Sequence, residues 1–241
     1  MKKSIDKHII ITLILALIGV NAIAQRRNDG LLNRSYADLK PIHFGFSVGF
    51  HMQDLNISNN GFITPEGESW FTEVPAYSPG FCVNVLADMR ISNHINLRCS
   101  PGMYFGNKKV HFRNSVTGDE NTQNIKSNYV VVPIDIKYSA TRYKNIRPYV
   151  VGGIMGILDV SKKRPEQLKL RDTDAMLTIG LGCDFYLPYF KLCPELKFCF
   201  GLRNLLNTER PDLQDNPDMM KYTQSVSQIK SNMIVLTFYF E

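Results

Sequence analysis

From Phe44 onward the sequence alternates apolar and polar residues at every second position, in eight segments of roughly ten residues, and nothing else narrows the fold so far. In the first segment Phe44, Phe46, Val48, Phe50 and Met52 alternate with His43, Gly45, Ser47, Gly49 and His51. The second sets Phe81, Val83, Val85 and Met89 against Cys82, Asn84, Asp88 and Arg90. The third sets Ile95, Leu97, Cys99, Met103 and Phe105 against Asn96, Arg98, Ser100 and Tyr104; the fourth sets Val130, Val132, Ile134, Ile136 and Tyr138 against Tyr129, Asp135 and Lys137. A fifth, from Arg147 to about Leu158, is apolar or glycine on both faces and has no readable phase. The sixth opposes Ala175, Leu177, Ile179, Leu181 and Phe185 to Asp174, Thr178, Gly180, Gly182 and Asp184. The seventh opposes Leu192, Leu196, Phe198, Phe200 and Leu202 to Lys191, Glu195, Lys197 and Arg203, and the last carries Ile234, Leu236, Phe238 and Phe240 on one face. Ten residues is the length a tilted strand needs to cross a bilayer.

The connections alternate too. Those at about 53–78, 107–127, 159–172 and 204–228 are long and polar, while those at 91–94, 139–146 and 187–190 are tight. An even-stranded barrel with both termini on the periplasmic side produces that rhythm. The pattern predicts an all-β fold: an eight-stranded antiparallel up-and-down transmembrane β-barrel with long extracellular loops and short periplasmic turns.

A soluble barrel would turn the apolar face inward around a ligand. Three features point the other way. The apolar face carries no charge in any phased segment, as a lipid-facing surface requires. The opposite face mixes glycine with charges of both signs, which suits a tight polar lumen better than a wetted surface. Aromatics (Phe105, Tyr138, Phe185 and Phe240) sit near strand ends, where membrane girdles place them. Pro101, Pro133 and Pro194 fall inside segments, and bulges are expected there because a closed barrel has no free edge for a missing N–H.

The N-terminus reads as a secretory leader. Lys2, Lys3 and Lys7 precede an apolar run from Ile9 to Val20, and Ala22-Ile23-Ala24 supplies small residues for cleavage. The domain plan is a signal peptide at 1–24, a periplasmic lead-in at 25–42 and an outer-membrane barrel at 43–241. The chain carries +6, two of which belong to the leader's three lysines and one aspartate. The remainder is too small and too dispersed to suggest nucleic acid. Five cysteines in no CxxC pair argue against a disulfide framework and a zinc site, though one bridge stays open.

The inward charges Asp88, Arg90, Arg98, Asp135, Lys137, Asp174, Asp184, Glu195, Lys197 and Arg203 read as a lumen ion-pair network, since buried charge must be paired. Carboxylates there would serve acid–base catalysis only if substrate could enter, and an eight-stranded interior is filled by side chains. No GxSxG, HExxH or P-loop is present, and His43 and His51 lie about 26 Å apart along a strand, too far to share an ion. No catalytic residue, metal, cofactor or small-molecule substrate is expected, and the chain reads as a non-enzyme. Trp70 and Phe71, in the loop from Gly61 to Gly80, are either interfacial anchors or contacts for a partner.

Several runs resemble the PorT family, barrel components of the type IX secretion system in Bacteroidota. They are Lys40-Pro41-Ile42-His43-Phe44-Gly45-Phe46-Ser47-Val48-Gly49, Trp70 to Pro75, Ser78-Pro79-Gly80-Phe81, and Leu187-Pro188-Tyr189-Phe190 with Pro194-Glu195-Leu196-Lys197-Phe198. Asn96-Leu97-Arg98, Ile136-Lys137-Tyr138-Ser139, Arg147-Pro148-Tyr149-Val150 and the ending Thr237-Phe238-Tyr239-Phe240-Glu241 extend the likeness over nearly the whole mature chain. The loops at 107–127 and 204–228 depart from it. The resemblance implies an accessory or assembly role in exporting cargo with C-terminal sorting domains, with outer-membrane lipid and other secretion-system proteins as partners. A generic porin-like or adhesive surface barrel is the alternative.

Overall fold

Period-two alternation becomes a closed ring of strands. The computed structural model describes residues 32–61, 70–73, 78–114, 118, 120–161, 170–207 and 225–241. The expected leader at 1–24 and residues 25–31 of the expected lead-in lie outside them. A short 3₁₀ turn (Ala37–Leu39) precedes β1 (Ile42–Asn59), β2 (Trp70–Glu73), β3 (Ser78–Arg90), β4 (Ile95–Cys99) and β5 (Gly102–Asn114). After these come β6 (Glu120–Ser139), β7 (Ile146–Asp159), β8 (Thr173–Tyr186), β9 (Lys191–Gly201) and β10 (Val226–Phe240). The strands pair in the order β1-β10-β9-β8-β7-β6, then β4 and β5, then β3, and β3 returns to β1, so the wall has no open seam. β4 and β5 are two halves of one wall strand, giving eight in the ring; β2 is a short addition paired to the outer end of β5.

The pairing fixes the barrel's stagger. Stepping from partner to partner, Met52 leads to Ile234, Phe198, Ile179, Gly152, Ile136, Leu97, Met89 and finally Ile42. One circuit therefore returns to β1 displaced from residue 52 to residue 42. Ten residues of stagger over eight strands tilt them by about 40°, within the usual range for a barrel this size.

The faces separate as the alternation requires. Phe44 is 72% exposed, Phe50 66%, Val85 64% and Ile154 59%, while the alternate residues Ser47, Cys82, Asn84 and Met155 are at most 3% exposed. An apolar band this continuous is untenable in water and ordinary in lipid. Stacked rings stiffen it: Phe46 on Phe240 at 5.1 Å across the β1–β10 seam, and Phe81 on Phe105 at 4.9 Å. β7, unphased from sequence, turns Arg147, Tyr149, Val151, Met155 and Ile157 inward. Inward glycines make room for large neighbours. A Cβ on Gly182 would lie 2.4 Å from the Tyr149 ring, and one on Gly80 2.4 Å from the His51 ring.

Two expectations are overturned. Most of the segment 107–127 is strand, not loop: β5 and β6 stay in register from Gly102 opposite Val131 to Arg113 opposite Glu120. The prolines do not make bulges. Pairing keeps one register on both sides of Pro101, Pro133 and Pro194. Pro101 O still accepts Val85 N–H at 2.9 Å and Pro133 O accepts Ser100 N–H at 3.3 Å. Each of these two prolines thus forfeits only the donor half of its pair, and the strands absorb it without slipping. β1 likewise runs on to Asn59, with a register shift at Ser58/Asn59. The five cysteines are all free thiols.

Candidate functional site

The inward faces of β3, β4, β6, β8 and β9, with Glu241 just past the end of β10, bring charges of both signs to one level near the periplasmic end. Arg98, with no exposed surface, stands at the centre. Its Nη1 donates to Glu195 Oε2 at 2.9 Å, its Nη2 and Nε to Asp88 Oδ2 at 3.1 and 3.2 Å, and its Nη2 reaches Glu241 Oε1 at 3.4 Å. The Tyr239 and Tyr149 rings lie 4.7 and 5.4 Å from the guanidinium carbon. Lys197 Nζ bridges Asp135 Oδ2 at 2.6 Å and Glu195 Oε1 at 3.2 Å, and Thr178 Oγ1 donates to Asp135 Oδ1 at 2.6 Å. Lys137 Nζ donates to both oxygens of Asp184 at 2.8 Å and sits 4.0 Å over the Tyr149 ring. Lys191 joins Asp184 at 3.9 Å and also pairs with Glu241.

This layer holds four cations and five carboxylates, and every carboxylate touches a cation. Buried charges left without partners cost several kcal/mol each, so shared partners are the condition for placing them here at all. Leu86, Tyr149, Val151, Cys193 and Tyr239 pack among these charges, and beyond the layer lies a cluster including Tyr104, Tyr129, Val131, Met155, Met176 and Met233. A third cluster, with Leu55, Phe112, Leu170, Leu206 and Ile229, lies toward the outer end. Among the described residues, a cavity of about 10 Å³ lies beneath the charge layer and another of about 20 Å³ beneath the outer cluster, each with room for about one water. A wider, open cleft of about 480 Å³ lies at the outer end of β1, lined by Asp54, Asn56, Asn59, Thr72 and Asn232.

Of the charges singled out from sequence, the structure gathers Asp88, Arg98, Asp135, Lys137, Asp184, Glu195 and Lys197. It leaves three outside. Arg90, at the end of β3, bonds Asn93 in the exposed periplasmic turn; Arg203 lies past the end of β9 and is exposed; Asp174 is buried nearer the outer end, bonding the Ala175 amide. Lys191 and Glu241 belong to the layer and were not singled out. Trp70 and Phe71 lie in β2 opposite Asn114 and Arg113, and their side chains fall outside the described residues.

Beneath the layer, the lead-in crosses the periplasmic mouth as a strap. Asp38 Oδ1 accepts the Tyr186 hydroxyl at 2.5 Å and Arg147 Nη1 at 3.3 Å, and Arg142 Nη1 stands 3.5 Å from Oδ2. Arg142 also donates to the carbonyls of Asn33 and Arg34 and stacks 3.6 Å over the Tyr186 ring. Asn33 N–H donates to Asn145 Oδ1 at 2.9 Å, and Arg34 Nη1 to the Glu241 carbonyl at 2.8 Å. Sequence carried no signal for this assembly, because strap and turn have no periodicity and Arg147 sits in the one unphased segment.

A closed eight-stranded wall, apolar outside and packed with paired charge inside, defines a β-barrel of the outer membrane. The chain belongs to the outer membrane protein beta-barrel domain family, whose profile matches residues 23–207. No curated relative matches the sequence. Among solved structures it is similar to Neisserial surface protein A, at 9% identity and TM-score 0.43, covering 83% of this chain and 98% of that one. It is also similar to OprG from Pseudomonas aeruginosa, at 13% identity and TM-score 0.44, covering 82% and 93%. A third is Ail of Yersinia pestis, solved with the heparin analogue sucrose octasulfate, at 13% identity and TM-score 0.34, covering 82% and 96%. At these values the likenesses carry no argument about function.

Proposed function

We propose that this chain is a sealed, non-enzymatic outer-membrane barrel serving type IX protein secretion as an accessory or assembly component. The filled interior carries the reading: with Arg98 at the centre of a paired layer and apolar clusters beyond it, the barrel shows no conduit for cargo among the described residues and would work through its rims and wall. The runs that resemble the PorT family supply the direction toward secretion. Its partners are outer-membrane lipid and other proteins of the secretion system, and Trp70 and Phe71 are candidates for a contact with one of them. The test is deletion of the gene in its native host, with cargo bearing C-terminal sorting domains assayed in medium and periplasm. Cargo retained inside, and released again by a plasmid copy, is the expected result; unchanged export would sink the secretion role. That second outcome would leave a surface barrel of adhesive type. The continuation of β5 and β6 beyond the apolar band favours this alternative, because it raises a polar rim outside the membrane.

A further inference from the structure

Arg142 and Arg147 are about nine-tenths buried, and among the described residues Asp38 is the only carboxylate within ion-pair distance of either. Asp38 itself is 27% exposed, unlike the lumen carboxylates at 0–2%. Little apolar packing holds the strap that carries it. Ala37 is buried, while Tyr36 is 77% and Leu39 61% exposed. A segment held by polar contacts at the water's edge is among the first to open. Opening takes the carboxylate away from Arg142 and Arg147, while the Lys144, Ala140 and Asn93 carbonyls and the Tyr186 ring still hold the two guanidinia in place. A pair of pre-positioned cations at the mouth is then left to take another anion.

We propose that Arg142, Arg147 and Tyr186 form a carboxylate-binding site at the periplasmic mouth, which Asp38 fills in cis and an acidic segment of a partner polypeptide fills by displacing the strap. The ligand class follows from what the site reads. Besides the carboxylate, Arg142 takes two backbone carbonyls, those of Asn33 and Arg34, and Asn145 takes the Asn33 amide. That is recognition of a peptide chain with an acidic side chain a few residues on, which a free phosphate does not satisfy. The inference stands whether or not the barrel serves secretion.

The experiment uses the full-length barrel in detergent micelles and a labelled nine-residue peptide copying residues 33–41. The Asp38→Asn barrel should bind the peptide saturably, at least tenfold more tightly than wild type, whose own strap competes. The same peptide with Asn in place of its Asp should not bind, nor should inorganic phosphate compete at equal concentration. Adding Arg142→Gln and Arg147→Gln to the Asp38→Asn barrel should abolish binding, with folding checked by heat-modifiable migration on gels. A second readout needs no variant: excess peptide should speed tryptic cleavage after Arg34 in the wild-type barrel. Binding that ignores the peptide's Asp, or cleavage unmoved by excess peptide, would overturn the proposal.

Discussion

A guanidinium with no exposed surface survives at the centre of this barrel because three carboxylates and two tyrosine rings replace its hydration. Removing the cation while keeping its bulk should therefore cost more than the interactions themselves are worth. Arg98→Met leaves Asp88 without a cation, takes one of two cations from Glu195 and Glu241, and is expected to destabilise the fold by about 3–5 kcal/mol. Urea unfolding in micelles, read by gel migration, checks it. Arg90→Met, at the exposed periplasmic turn, should change stability by less than about 1 kcal/mol. Most of the layer was legible because Asp88, Arg98, Asp135, Lys137, Asp184, Glu195 and Lys197 share the inward phase of well-marked strands. Phase alone does not give height. Arg90 and Arg203 share it but lie at or past strand ends, and Asp174 shares it at the wrong end of the barrel. Glu241 stands one residue past β10, where the alternating run stops, although it too follows the strand's inward phase.

Alternation marks a strand only where lipid makes its outer face apolar. The hairpin of β5 and β6 shows the limit. Asn107, Lys108, Asn121, Thr122 and Asn124 are polar on either face because that part stands beyond the band, so the pattern vanishes while the hydrogen bonding continues. The prolines misled for a different reason: losing one donor from a ladder bonded on both sides is a small perturbation, and closure of the ring holds the register. Within the band the outward face should be intolerant of charge. Ile154→Arg, near the middle of β7, is expected to cost about 2–4 kcal/mol and to lower the yield of folded barrel in lipid vesicles. A stability change within about 0.5 kcal/mol would mean that the band has been placed at the wrong height.

Taken whole, the molecule is a wall wrapped around its own side chains. Eight strands staggered by ten residues enclose a space that tyrosines, methionines and paired charges fill from the periplasmic strap to the outer cluster. The architecture was readable from loop rhythm and period; the sealing of both ends was not, since it depends on a non-periodic strap and on side chains from separate strand extensions. The central claim is that this filled interior seals the barrel. The most direct test is conductance of the purified, folded protein in a planar lipid bilayer. The account predicts no steps above the bare-membrane background, whereas stable, reproducible channel openings would contradict it.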